Sequence, residues 1–190
     1  MKNFVFVFAV MASAFLLFPP ALFSQQHDYL TEQEIELVRD AQDIDARIDV
    51  LTGAIDRRFA ALKIGSISTK PAKEMDKWGP MPTGTRLELL DDVRKLLQKA
   101  IDDIDNSVDH PVVYEDDKNR SEKQKKKDSQ RFPTAVNSLA AAAKNYVPIF
   151  NTLLEQTKDE RERGLILDAL DSCQQIIEAA GKLPSMTKTT

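Results

Sequence analysis

The sequence predicts an all-α fold, an antiparallel up-down-up-down four-helix bundle over residues 29–183. Three observations point there. Apolar residues recur every three or four positions along several stretches, the stripe that an amphipathic helix buries against neighbours in the manner of a coiled coil. Three T-x-x-E capping boxes, Thr31/Glu34, Thr85/Glu88 and Thr157/Glu160, mark helix starts. The 6 Gly and 9 Pro among 190 residues are too few for a loop-rich or all-β chain. With 42% hydrophobic and 29% charged residues the chain can bury one real core, and its net charge of −4 argues against general nucleic-acid binding.

Residues 1–24 have the layout of a secretory signal peptide. Lys2 is the positive start, Phe4 to Phe18 an apolar run, Pro19-Pro20 a break and Ala21 to Ser24 a cleavage region. The run is short for a bilayer span of about 20 residues. Cleavage near Ser24 and a periplasmic or secreted address are therefore expected, with an uncleaved N-terminal membrane anchor as the alternative. No cysteine lies near the cleavage region to take a lipid. The single cysteine, Cys173, forbids an internal disulfide. It falls on the apolar stripe of the last helix and reads as a small buried hydrophobe, against the alternative of a reactive or intermolecular thiol.

The first helix is expected over about 31–63, with Ala41, Ile44, Ile48, Leu51, Ile55, Phe59 and Leu62 on its inner face and an Asp43–Arg47 pair outside. Residues 64–84 form a linker rich in Gly, Ser and Pro. Within it Pro71 to Trp78 can make two helical turns, stopped by Gly79. Trp78, the only Trp, either plugs the end of the bundle or stacks on a ligand. The second helix, about 85–109, is expected to bury Leu90, Val93, Leu97, Ile101, Ile104 and Val108, with Asp91–Lys95 as a supporting pair. Its last turns carry Asp102, Asp103, Asp105 and Asp109, where the macrodipole disfavours negative charge. His110-Pro111 ends it, and a mobile loop is expected up to Arg131, acidic first and basic later, including Lys125, Lys126 and Lys127. The third helix, about 132–156, contains Pro148, which is expected to kink it. The fourth, about 158–181, follows at once as an antiparallel hairpin partner and stops at Gly181, leaving a frayed tail over 184–190.

Motifs for known chemistries fail on their own terms. A ferritin-like di-iron site needs Glu-x-x-His, but Ser24 and Ser107 stand three residues before His27 and His110. One cysteine is too few for C-x-x-C-H haem attachment or a Cys/His zinc cluster. Asp103 to Ser107 starts like a calcium loop, yet Val108 stands where Gly is needed and Tyr114 where Glu is needed. No G-x-S-x-G, P-loop or G-x-G-x-x-G occurs. No cofactor, no metal and no enzymatic activity are expected.

The segments YLTEQEIELVRDAQDID, KWGPMPTGT and TKDERERGLILDAL resemble those of uncharacterised exported helical proteins of bacteria, over most of the chain beyond the signal segment. The resemblance implies a bacterial periplasmic address and brings no activity, cofactor or site with it.

The expected function is that of an exported, non-enzymatic protein, monomer or weak dimer, binding another protein or an envelope polymer. Its candidate partner surface is Asp102, Asp103, Asp105 and Asp109 with Lys125, Lys126 and Lys127. The alternative is a small-ligand-binding or sensor module, with a pocket near the Pro148 kink formed by Trp78, Asn145 and Tyr146.

Overall fold

The computed structural model describes residues 28–64, 76–109 and 121–183. The signal segment expected over 1–24, the tail expected over 184–190, most of the expected Pro71–Trp78 helix and both histidines lie outside the described residues. All regular structure among the described residues is helical: α1 (Glu32–Asp40), α2 (Ile44–Ala61), a 3-10 turn (Asp76–Trp78), α3 (Arg86–Asp109), α4 (Glu122–Gln156) and α5 (Glu160–Gly181).

The single helix expected over 31–63 is two. The capping box of Thr31 and Glu34 opens α1, whose end is the non-helical Ala41. Asp43 then takes the extended backbone of an N-cap and α2 begins. The expected Asp43–Arg47 pair does not form. Arg47 Nε donates to the Ala41 carbonyl at 3.0 Å and Asp43 pairs with Arg131. Tertiary pairing explains the break. Glu34 bonds Arg57 and Arg58 at 3.0 and 2.6 Å. In one continuous helix those residues would lie roughly 35 Å apart along the axis, so α1 has to fold back over α2.

The loop expected up to Arg131 is another correction. Ser121 caps α4, accepting from Gln124 N at 3.3 Å, and the helix runs from Glu122 through both Pro133 and Pro148. Lys125, Lys126 and Lys127 are thus helical. Each proline removes one backbone donor, and the residues four before them, Ser129 and Lys144, are exposed, on the side of the helix where a carbonyl left without its donor costs least. The expected Thr157/Glu160 box is replaced by Asp159, whose carboxylate accepts from Arg161 N and Glu162 N at 2.8 and 3.3 Å. Those backbone N–H groups hold the Asp159 carboxyl below the usual range. The Thr85/Glu88 box is formed as read.

Each long helix packs chiefly on two others: α2 on α3 and α4, and α5 on α3 and α4. Cross-helix pairs fix the directions. Arg58, late in α2, faces Asp92, early in α3, so these two are antiparallel. Arg131 meets Asp43 and Asp45 at the start of α2, while Tyr146 and Phe150 stack on Phe59 near its end, so α2 and α4 run parallel. Arg86 and Glu162 bring together the starts of α3 and α5, which are parallel too. Arg163 reaches back to the Leu154 carbonyl across the antiparallel α4–α5 connection. Sequence-adjacent α3 and α4 touch only lightly. The shared core includes Ile48, Leu51, Phe59, Leu97, Leu139 and Ile166, all of them buried.

Phe59→Ala is expected to cost about 3–5 kcal/mol, because its ring contacts both Tyr146 and Phe150. Lys144→Ala, on the exposed face of α4, should stay within about 0.5 kcal/mol. Pro148→Ala should raise the urea midpoint by restoring the backbone bond to Lys144. Similar losses for Phe59→Ala and Lys144→Ala would contradict this packing.

Candidate functional site

Two ends of the molecule concentrate charge. At the lower end, where α2 finishes and α3 and α5 begin, the charge is buried. Arg58 is 1% exposed, Glu34 0% and Asp92 1%. Arg58 Nη1 donates to Glu34 Oε1 at 2.6 Å and to the Ala54 carbonyl at 3.2 Å. Its Nη2 donates to the Tyr29 carbonyl at 2.6 Å, and its Nε faces Asp92 Oδ2 at 3.5 Å, an ion-pair rather than a hydrogen-bond distance. Arg57 joins Glu34 at 3.0 Å, lies over the Trp78 ring at 5.6 Å and donates to the Pro80 carbonyl. Gly79 takes φ +64°, a left-handed conformation that favours glycine, and packs against the Gln33 side chain of α1. Arg58 and Asp92 also line a cleft of about 300 Å³ walled by Asp28, Leu30, Thr31 and the Pro80–Thr83 segment. Glu34 and Asp92 are met by Arg57 and Arg58, and the arrangement is that of a clasp between the N-terminal segment, α2 and α3.

The residues of the expected pocket, Trp78, Asn145 and Tyr146, stand in different surroundings. Trp78 is buried at the lower end, under Arg57. Asn145 is exposed. Tyr146 is buried and its hydroxyl donates to Asp56 Oδ1 at 2.8 Å. Burial, and then the Asp56 carboxylate beside it, push the Tyr146 phenol well above its usual range, so it stays a neutral donor. Cys173 is fully buried, and burial pushes its thiol up to about 12.

The upper end, where α3 and α5 finish and α4 starts, holds an apolar cleft of about 300 Å³. Ile101, Ile104 and Val108 of α3, Phe132 and Val136 of α4 and Ile176 of α5 form its walls, with Asp105 and Gln175 at the rim. Val108, expected on the buried stripe of the second helix, is instead 57% exposed, because it lies in the last turn of α3, at the mouth of the cleft. The structure brings the expected partner residues to this end, with changes. Asp102, Asp105 and Asp109 are exposed, but Asp103 is buried and bonded to Lys99 at 3.1 Å. It sits one turn from Ala100 on the inner face, so it does not belong to the surface. Asp102 accepts from Gln98 at 2.9 Å. Lys125 pairs with Glu122 at 3.6 Å, and Lys126 and Lys127 are exposed. Among the described residues, no ion pair joins the α3 aspartates to the α4 lysines.

Compared with family models, curated proteins and solved structures, the chain gives no match. Among the described residues, no group of His, Cys, Asp and Glu is arranged to hold a metal ion, and no helix is long and apolar enough to cross a membrane.

Sequence patterning missed Arg57, Arg58 and Asp92, and read Glu34 only as a cap. A signal was there for two of them. Arg58 lies three after Ile55 and Asp92 three after Leu89, so each falls on a buried stripe. A charge at such a position needs a partner.

Arg58→Met should cost about 3–5 kcal/mol by leaving Asp92 buried without its cation, and Glu34→Gln should cost less, because Arg58 still faces Asp92, but more than about 1 kcal/mol. Guanidinium melts would show this, and a loss below about 1 kcal/mol for either would rule out the clasp. Cys173 should resist thiol reagents in the folded protein and react on denaturation. Labelling at the same rate with and without denaturant would show that it is not buried.

Proposed function

We propose that the protein is an exported, non-enzymatic binding protein that holds an apolar helix face of a partner protein in its upper cleft. The observation that carries this is the cleft itself, whose walls are aliphatic and aromatic and whose mouth includes the exposed Val108. Apolar grooves between helices accept amphipathic helices through a few anchoring side chains, and for that reason a protein fits better than an envelope polymer. In this reading the four long helices form a bundle whose directions alternate along the chain. The pairings of α2, α3, α4 and α5 support it, with α3 and α4 placed diagonally. Export is supported by the layout of residues 1–24 and by the resemblance to exported bacterial proteins, which favours a periplasmic or secreted address.

A second reading is a small apolar ligand in the same cleft, favoured by its volume of about 300 Å³, the lower edge of small-molecule sites. It replaces the pocket expected near Pro148.

Affinity capture from the source's envelope fraction, with the chain lacking residues 1–24 as bait, tests the proposal. Val108→Asp should leave the melting temperature nearly unchanged, because the side chain is exposed, and should abolish capture. Replacing Lys125, Lys126 and Lys127 by Ser should likewise spare stability and weaken capture most at low salt. Capture indifferent to Val108→Asp would overturn the cleft as the docking site. A small molecule retained in native mass spectrometry, and lost with Val108→Asp, would favour the second reading.

A further inference from the structure

We propose that the upper end also docks a second copy of this chain, the two related by a twofold axis and facing end to end. The proposal rests on the reading of this end as a binding surface. Its own evidence is the sign of the charges. Helix C-termini are negative and N-termini positive. Yet α3 finishes on exposed Asp102, Asp105 and Asp109, with no basic residue in its last turn, and parallel α5 ends without one as well. Beside them α4 opens on Glu122 and carries Lys123, Lys125, Lys126 and Lys127 in its first two turns. The end of α3 therefore carries charge that its own dipole disfavours, and among the described residues the acidic and basic segments are not paired with each other.

Their placement makes the end self-complementary. Because α3 and α4 are diagonal, acids and lysines stand on opposite sides of the cleft. A twofold operation sets the acidic side of one copy on the basic side of the other, twice. The reach is sufficient. Phe132 and Val108 line one cleft, so residues 122–130 extend roughly 13 Å beyond the end of α3. Each lysine-bearing start then lies along the facing copy's α3. There Lys123 and Lys127 repeat at the helical spacing of Asp102, Asp105 and Asp109. Exposed ion pairs are individually weak, so the dimer is weak and salt-sensitive.

Sedimentation velocity of the purified protein tests this. At about 10 mM salt, where the Debye length is about 30 Å, a concentration-dependent dimer is expected, and at about 1 M, where it is about 3 Å, a monomer. The triple change Lys125→Glu, Lys126→Glu, Lys127→Glu should give a monomer at low salt, and so should Asp102→Lys, Asp105→Lys, Asp109→Lys. An equimolar mixture of the two should recover the dimer, because swapped glutamates then face swapped lysines. Circular dichroism confirms that each variant is folded. The second variant removes charges its own helix end disfavours, so its folding is not endangered. A wild type that stays monomeric at low salt up to about 1 mM, or folded variants that stay monomeric when mixed, would overturn the proposal. Partner capture sensitive to Val108→Asp in a strictly monomeric protein would sink self-association alone and leave the cleft reading standing.

Discussion

The Arg58 guanidinium is the constraint on which the lower half of the structure depends. Its Nη groups donate to the Tyr29 carbonyl, Glu34 of α1 and the Ala54 carbonyl of α2, and its Nε faces the carboxylate of Asp92 on α3 at ion-pair distance. A buried guanidinium is tolerated only when its charge is neutralised, and no single neighbouring element supplies all of that. The N-terminal segment must therefore fold back, α2 must break from α1, and α3 must present its first turns to the last turns of α2. Arg57 extends the same logic to the segment after Trp78 through the indole ring and the Pro80 carbonyl. The polar cluster thus specifies which elements meet, while the apolar core around Phe59 supplies most of the burial.

The upper end is built differently. Its ion cluster, Arg131 with Asp43, Asp45 and Asp128, ties the start of α4 to the start of α2 and is less deeply buried, and three helices line a cleft whose walls are apolar. Bundle ends are difficult to seal, because side chains project sideways from helices rather than along the axis. At the lower end Trp78 and the chain around it fill that space. At the upper end Val108 stays exposed beside the cleft. This asymmetry, one end clasped and one end open, is the physical basis for reading the molecule as a binding protein whose surface lies at the open end.

Charge at the end of α3 opposes local helix stability. A chain whose levels of organisation all agreed would place lysines there, whereas α4 opens on Glu122 and carries its lysines just behind. The end thus has a negative segment on α3 and a positive one on α4, two helices that touch only lightly. Association with anything that matches the pattern is oriented and salt-dependent.

By itself the sequence determined the helical class, the inner faces apart from Val108, and two of the helix starts. The stripe through Val136, Leu139, Ala143, Tyr146, Phe150 and Leu153 is buried as its spacing requires, and the boxes at Thr31 and Thr85 form because capping is satisfied within one turn. These are local properties, set by a repeat of 3.6 residues and by orphan amides that a neighbouring side chain can reach. Only the tertiary structure decided the rest. Nothing within a turn of Ala41 forces a break; the partners that do are Arg57 and Arg58, 23 and 24 residues beyond Glu34. Pro133 looked like a helix start, and the helix nonetheless begins at Glu122, since the carbonyl of the exposed Ser129 loses little when its donor is missing. Asp103 looked like its exposed neighbours and is buried, because one step of 100° around a helix separates solvent from core. The upper cleft is legible in no single segment: its walls come from α3, α4 and α5, and their separation depends on how whole helices pack.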